Sequence, residues 1–168
     1  MYLDLQKVTD YPSYFEKQKF FNAVLARNFF EFMTTIANKF GGGWDVLDGF
    51  SNPGFHIFPP HKTGSYFFGR MHEDIQWMNF KALETGWDLT AESQFSFTYV
   101  LRLPQAGGGL FVSNEGNYYP YEENALYIHS GQFLHAIAPT PGPMLPYDYR
   151  ITLQGHGFHA GGKSYLYW

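Results

Sequence analysis

Cysteine is missing from the chain altogether, which removes disulfides, thiolate metal sites and a cysteine nucleophile at once. Any metal must therefore be held by imidazole and carboxylate. Charge is scarce too: 15% of residues are charged, the formal net charge is −4 and the pI is near 5.9. Nucleic acid, which calls for a basic footprint, is not an expected partner. No run of about 18 apolar residues occurs, so no membrane-spanning helix is expected. The opening MYLDLQKVTDY carries acidic side chains and no apolar stretch of the secretory-leader kind, and a cytoplasmic protein is expected.

Aromatic residues are what the chain has in excess, at 21%, with 18 Phe and 13 Tyr beside 18 Gly and 10 Pro. Flat side chains suit a pleated, half-buried surface, and glycine and proline mark turns. One segment departs from that pattern. Over residues 12–40, Phe15, Phe20, Phe21, Val24, Leu25, Phe29, Phe32, Met33 and Ile36 recur at three- and four-residue spacing. This predicts a helix packed on a sheet, stopped by Gly41-Gly42-Gly43.

Short strands between turn signals follow. They are expected at Trp44–Phe50, Gly54–Phe58, Tyr66–Phe68, Phe95–Leu103, Leu110–Val112, Ala125–His129, Phe133–Ala138, Tyr149–Gln154 and Ser164–Tyr167. In the longest, Phe95, Phe97, Tyr99, Leu101 and Leu103 share one face, and Ser96, Thr98, Val100 and Arg102 share the other. The expected fold is mainly β with an N-terminal helix: a double-stranded β-helix (jelly roll). No repeat, charge run or linker divides the chain. A single domain over 1–168 is expected, with the packing helix at 12–40 and the jelly-roll core at 44–168.

Seven histidines offer metal ligands. On a strand His72 and Asp74 share parity and project together, while Glu73 points away. A second imidazole from a distant strand, His135, completes two histidines and one carboxylate, the set that caps one face of a non-haem Fe(II) ion and leaves positions open for oxygen. Further along, Arg150 supplies a planar fork for a carboxylate. His156 and His159 are spaced for a zinc grip on a helix, but Gly155, Gly157, Gly161 and Gly162 argue against a helix there. His129 is the one rival for the distal ligand. The residue four beyond His72 is Gln76, so the H-E-x-x-H pattern of zinc proteases is lacking.

The order of these pieces carries a resemblance. His72-Glu73-Asp74, then Gly108-Gly109-Leu110, then His135-Ala136-Ile137-Ala138-Pro139, then Arg150-Ile151-Thr152 resembles the 2-oxoglutarate and Fe(II)-dependent oxygenase superfamily, in its prolyl hydroxylase-like branch, over roughly residues 54–160. The resemblance implies that His72, Asp74 and His135 bind Fe(II), and that Arg150 and Thr152 hold the distal carboxylate of 2-oxoglutarate. It makes Arg102 a further candidate against the co-substrate. It implies an oxidoreductase that consumes O2 and releases succinate and CO2. Asp74, which related halogenases replace by a small residue, implies hydroxylation rather than halogenation. A small-molecule or amino-acid-like substrate is expected, with a peptidyl prolyl group as alternative. The contrasting expectation, of another class, is a jelly roll that binds a ligand or partner without turnover. Segments 59–65, 79–92 and 139–146 are the candidates for substrate contact; the sequence does not fix the oligomeric state.

Overall fold

The computed structural model describes residues 44–47, 54–58, 67–78, 86–114, 116–140 and 145–167, together with Pro12 and Glu16. Apart from those two residues, the helix expected over 12–40 lies outside the described residues. So do all of 59–65, the first half of 79–92 and the centre of 139–146. The protein is mainly β; the described residues form ten strands: β1 (Trp44–Val46), β2 (Gly54–Phe58), β3 (Phe68–His72), β4 (Gln94–Arg102), β5 (Leu110–Val112), β6 (Asn117–Tyr119), β7 (Leu126–His129), β8 (His135–Ile137), β9 (Arg150–Ala160) and β10 (Lys163–Tyr167). Among the described residues no helix is long and apolar enough to cross a membrane.

Two compact units interleave along the chain. One gathers the residues up to Gly54, Gln76–Gln94 and Gly155–Trp168; the other gathers Phe55–Ile75 and Phe95–Gln154. In the first, β1 runs parallel to β10, and β10 pairs antiparallel with the second half of β9, from Lys163↔Ala160 to Tyr167↔His156. Its core is aromatic. Trp87 lies 4.9 Å from the Phe158 ring and stacks on Tyr165 at 5.5 Å, and Phe158 and Tyr167 are almost wholly buried.

The second unit holds one four-stranded sheet in the order β3-β8-β5-β6, and a further run in which β2 pairs with β9, β9 with β4 and β4 with β7. β4 is buried on both faces from Gln94 to Val100. Its aromatic face supplies core through Phe95, Phe97 and Tyr99, while the opposite face buries Ser96 and Thr98. Buried hydroxyls need partners, and here they mark the face that builds the site.

β2 and β5 have the expected bounds. β9 runs six residues further than expected, through Gly155 and Gly157, because β10 supplies the backbone partners that weak strand formers need. β6 is an addition: Asn117–Tyr119 is exposed at all three residues, so no alternation marks it. The largest departure is at β3. The strand runs through His72 with a register irregularity between Phe68 and His72 and ends before Asp74. Shared strand parity therefore does not bring His72 and Asp74 together.

Candidate metal centre

His72 and His135 are cross-strand partners. They face each other in the β3–β8 register, and opposed residues of antiparallel strands hold their Cβ atoms about 5 Å apart. Their ring centroids lie 4.6 Å apart. Both rings are oriented in the same way: Nδ1 of His72 sits 2.8 Å from the Arg70 carbonyl, and Nδ1 of His135 sits 2.8 Å from the Phe133 carbonyl. A carbonyl only accepts, so in each ring Nδ1 carries the proton and Nε2 presents its lone pair. That is the tautomer a metal ligand requires.

Asp74 is turned toward both. Its Oδ1 lies 3.7 Å from Nε2 of His72, and its Oδ2 lies 3.6 Å from Nε2 of His135. The three donor atoms fall within 4.8 Å of one another, close enough to share one ion. No thiolate is present, and two imidazoles with a carboxylate suit a divalent metal ion. His135 and Asp74 are buried, whereas the His72 side chain is 55% exposed. The cluster is thus walled on one side and open on the other.

Two groups that sequence reasoning missed hold the carboxylate. The Ser96 hydroxyl, from β4, donates to Oδ2 of Asp74 at 2.5 Å. The Asp74 N–H donates to the Gly131 carbonyl at 2.7 Å. Gly131 has φ +72, and a methyl group on it would lie 2.6–2.8 Å from Ser96 Oγ and from Oδ2 and Cβ of Asp74. Only glycine permits that approach. The sequence marks Ser96 only as part of an alternating strand and does not single out Gly131. His129, the rival ligand, is a neighbour instead: its Nδ1 accepts the Gly131 N–H at 3.0 Å, and its ring packs edge-on against His135 at 5.1 Å.

Arg150 opens β9 and is 2% exposed. Its Nε donates to the Gly108 carbonyl at 2.7 Å, its Nη1 donates to Thr152 Oγ1 at 3.1 Å, and its guanidinium lies 5.7 Å from the Phe58 ring centroid. A guanidinium has five N–H donors, so three find no protein acceptor among the described residues. No carboxylate among them pairs with it. Burial pushes this guanidinium down to about 10, partly offset by the Tyr121 phenol nearby. It stays charged at neutral pH. Burial also pushes Tyr121 up, against the pull of Arg150 and a hydrogen bond with Thr98.

Ser96 and Thr98 relate the two features. They lie on the same face of β4, about 7 Å apart along it. One holds the Asp74 carboxylate; the other bonds Tyr121, the neighbour of Arg150. Arg102 does not join them. It sits at the exposed end of β4, where Nη2 donates to the Tyr147 carbonyl at 2.8 Å and the guanidinium lies over Tyr149. The inward orientation expected for it holds for Ser96 and Thr98 but lapses at Arg102, because burial of the strand ends at Val100. The H-x-x-H pair separates as well. His156 is buried beside Tyr167, and His159 bonds Ser164 in the other compact unit. No protein-family model matches the chain, and no curated protein sequence matches it significantly.

Proposed function

We propose that the protein is a non-haem Fe(II) oxygenase that takes 2-oxoglutarate as co-substrate and hydroxylates a C–H bond of a small, amino-acid-like molecule. The observation that carries this reading is a buried guanidinium with no carboxylate partner among the described residues, in the same compact unit as a two-histidine, one-carboxylate cluster. A buried charge is stable when paired, so Arg150 calls for an acidic ligand. A dicarboxylate that also reaches the metal satisfies both.

His72, Asp74 and His135 hold the metal through two Nε2 atoms and a carboxylate oxygen. Arg150 and Thr152 orient the far carboxylate, and Phe58 and Tyr121 keep water from it. Bound there, Fe(II), 2-oxoglutarate and O2 supply the oxidation, with succinate and CO2 as by-products. The protein's own contribution is placement and a dry, shaped site. The jelly roll belongs to the same reading. Of eight consecutive strands, β2 to β9, each crosses from the run β2-β9-β4-β7 to the sheet β3-β8-β5-β6 or back, except at β5 to β6, which pair within the second; this order supports a double-stranded β-helix.

A succinate-release assay with Fe(II), 2-oxoglutarate and a panel of amino acids and short peptides tests the activity. Without oxygen, 2-oxoglutarate added to the Fe(II)-loaded protein is expected to produce a visible charge-transfer band. Asp74→Ala and His135→Ala abolish turnover, and Arg150→Ala mainly raises the KM for 2-oxoglutarate. Undiminished succinate release by Asp74→Ala overturns the ligand assignment. Binding of metal and keto acid without turnover of any substrate assigns a ligand-binding protein instead.

A further inference from the structure

We infer that Ser96, together with the Gly131 turn, is a positioning device that presents Asp74 to the metal through one carboxylate oxygen. The inference rests on the metal site proposed above and adds the groups that set its coordination number. A carboxylate has two oxygens and can take one or two positions on a metal. A site that binds a chelating co-substrate and dioxygen needs three positions left vacant, and a second carboxylate oxygen would fill one of them.

The geometry supplies the restraint. Asp74 follows β3 and lies outside any strand, so backbone pairing within a sheet does not fix its side chain. Its backbone is tied by the bond to the Gly131 carbonyl, and its Oδ2 is engaged by the Ser96 hydroxyl at 2.5 Å. Both side chains are buried, Ser96 to 5% exposure and Asp74 to 7%, so water does not compete for the bond. Ser96 is rigidly placed, because β4 pairs with β7 at Ser96↔His129. The Gly131 backbone closes the third side at a distance that excludes even a methyl group. Rotation of the carboxylate would break the Ser96 bond and drive an oxygen toward Gly131. His129 fastens the same turn by accepting the Gly131 N–H, so Asp74 and His135 are braced by one short segment, 129–135.

The experiment is a titration of the purified full chain with Co(II) under nitrogen, reading affinity and the visible d–d bands, which report ligand number. Ser96→Ala is expected to weaken Co(II) binding by about 10- to 100-fold, as loss of an outer partner of a ligand does, and to change the d–d bands. Ser96→Thr, which keeps the hydroxyl, is expected to stay close to the parent protein in both. Gly131→Ala is expected to behave like Ser96→Ala, and it gives a second reading should the serine variant not fold. Parent-like affinity and bands in Ser96→Ala, or a loss in Ser96→Thr as large as in Ser96→Ala, overturns the inference while leaving the metal site standing. Failure of the parent protein to bind Co(II) overturns the metal site itself, and the inference with it.

Discussion

At the scale of single residues, Arg150 is a buried charge that costs the fold stability. Burial lowers its pKa to about 10, so keeping it charged at neutral pH costs the fold about 3 kcal/mol. The folded protein releases this proton before the unfolded chain does. The cost is therefore full below about pH 10 and fades as pH rises above it. An isosteric apolar residue would remove it. Arg150→Met is expected to leave the melting temperature of the ligand-free protein unchanged or raise it. Millimolar 2-oxoglutarate or succinate should raise the melting temperature of the parent and leave the variant unmoved. The parent's dicarboxylate affinity should stay flat from pH 7 to 9 and fall as pH passes through about 10. A variant that melts well below the parent, yet still gains from the dicarboxylate, would show that the guanidinium serves packing. Donor identity at these positions was legible in the sequence. The lack of a carboxylate partner among the described residues was not, because it depends on which groups from other segments surround the guanidinium.

At the scale of elements, pairing register does what spacing along the chain does not. His72 and His135 are 63 residues apart in number (135 − 72) and directly opposed across β3 and β8. Strand positions were mostly legible because aromatic runs between glycine and proline turns are a strong local signal; β2 and β5 needed no adjustment. β6 and the far half of β9 were not, since exposed Tyr118 and Tyr119 and the glycines at 155 and 157 give no such signal. The Gly107–Gly109 turn between β4 and β5 has its own requirement. Gly107 has φ +74, and a Cβ there would fall 1.9 Å from the Pro139 carbonyl oxygen. Gly107→Ala combines a left-handed strain with a backbone clash and should cost about 2–3 kcal/mol. At about 2–4 °C per kcal/mol for a chain of this length, its melting temperature should drop by about 5–10 °C. A thermal melt within 2 °C of the parent (a threshold of about 1 kcal/mol) would argue that the turn relaxes freely.

At the scale of the whole molecule, all three donors, Arg150, Thr152, Ser96 and Gly131 lie in one of the two compact units, 55–75 with 95–154. Metal bound by the native cluster and not by the unfolded chain stabilises the fold by mass action, about 2.7 kcal/mol at a hundred times Kd. Mn(II) or Co(II) is therefore expected to raise the melting temperature by about 5–10 °C. A chelator should reverse the gain, and Asp74→Ala should lack it. Hydrogen exchange should slow first in β3, β8 and the turn at 130–132. Metal protection spread equally over β1 and β10 would speak against a site confined to that unit.

The chain by itself determined the chemistry on offer: no sulfur donor, two imidazoles and a carboxylate in a recognisable order, an arginine behind them, and turns that force a strand-rich fold. Those are properties of side chains and of local backbone preference, and they survive without knowledge of neighbours. Tertiary structure decided the rest. It set His72 against His135, brought Ser96 and Gly131 to Asp74, buried Arg150 with no carboxylate partner among the described residues and turned Arg102 to the surface. Each of these depends on which distant segments meet, and burial and hydrogen bonding exist only once they do.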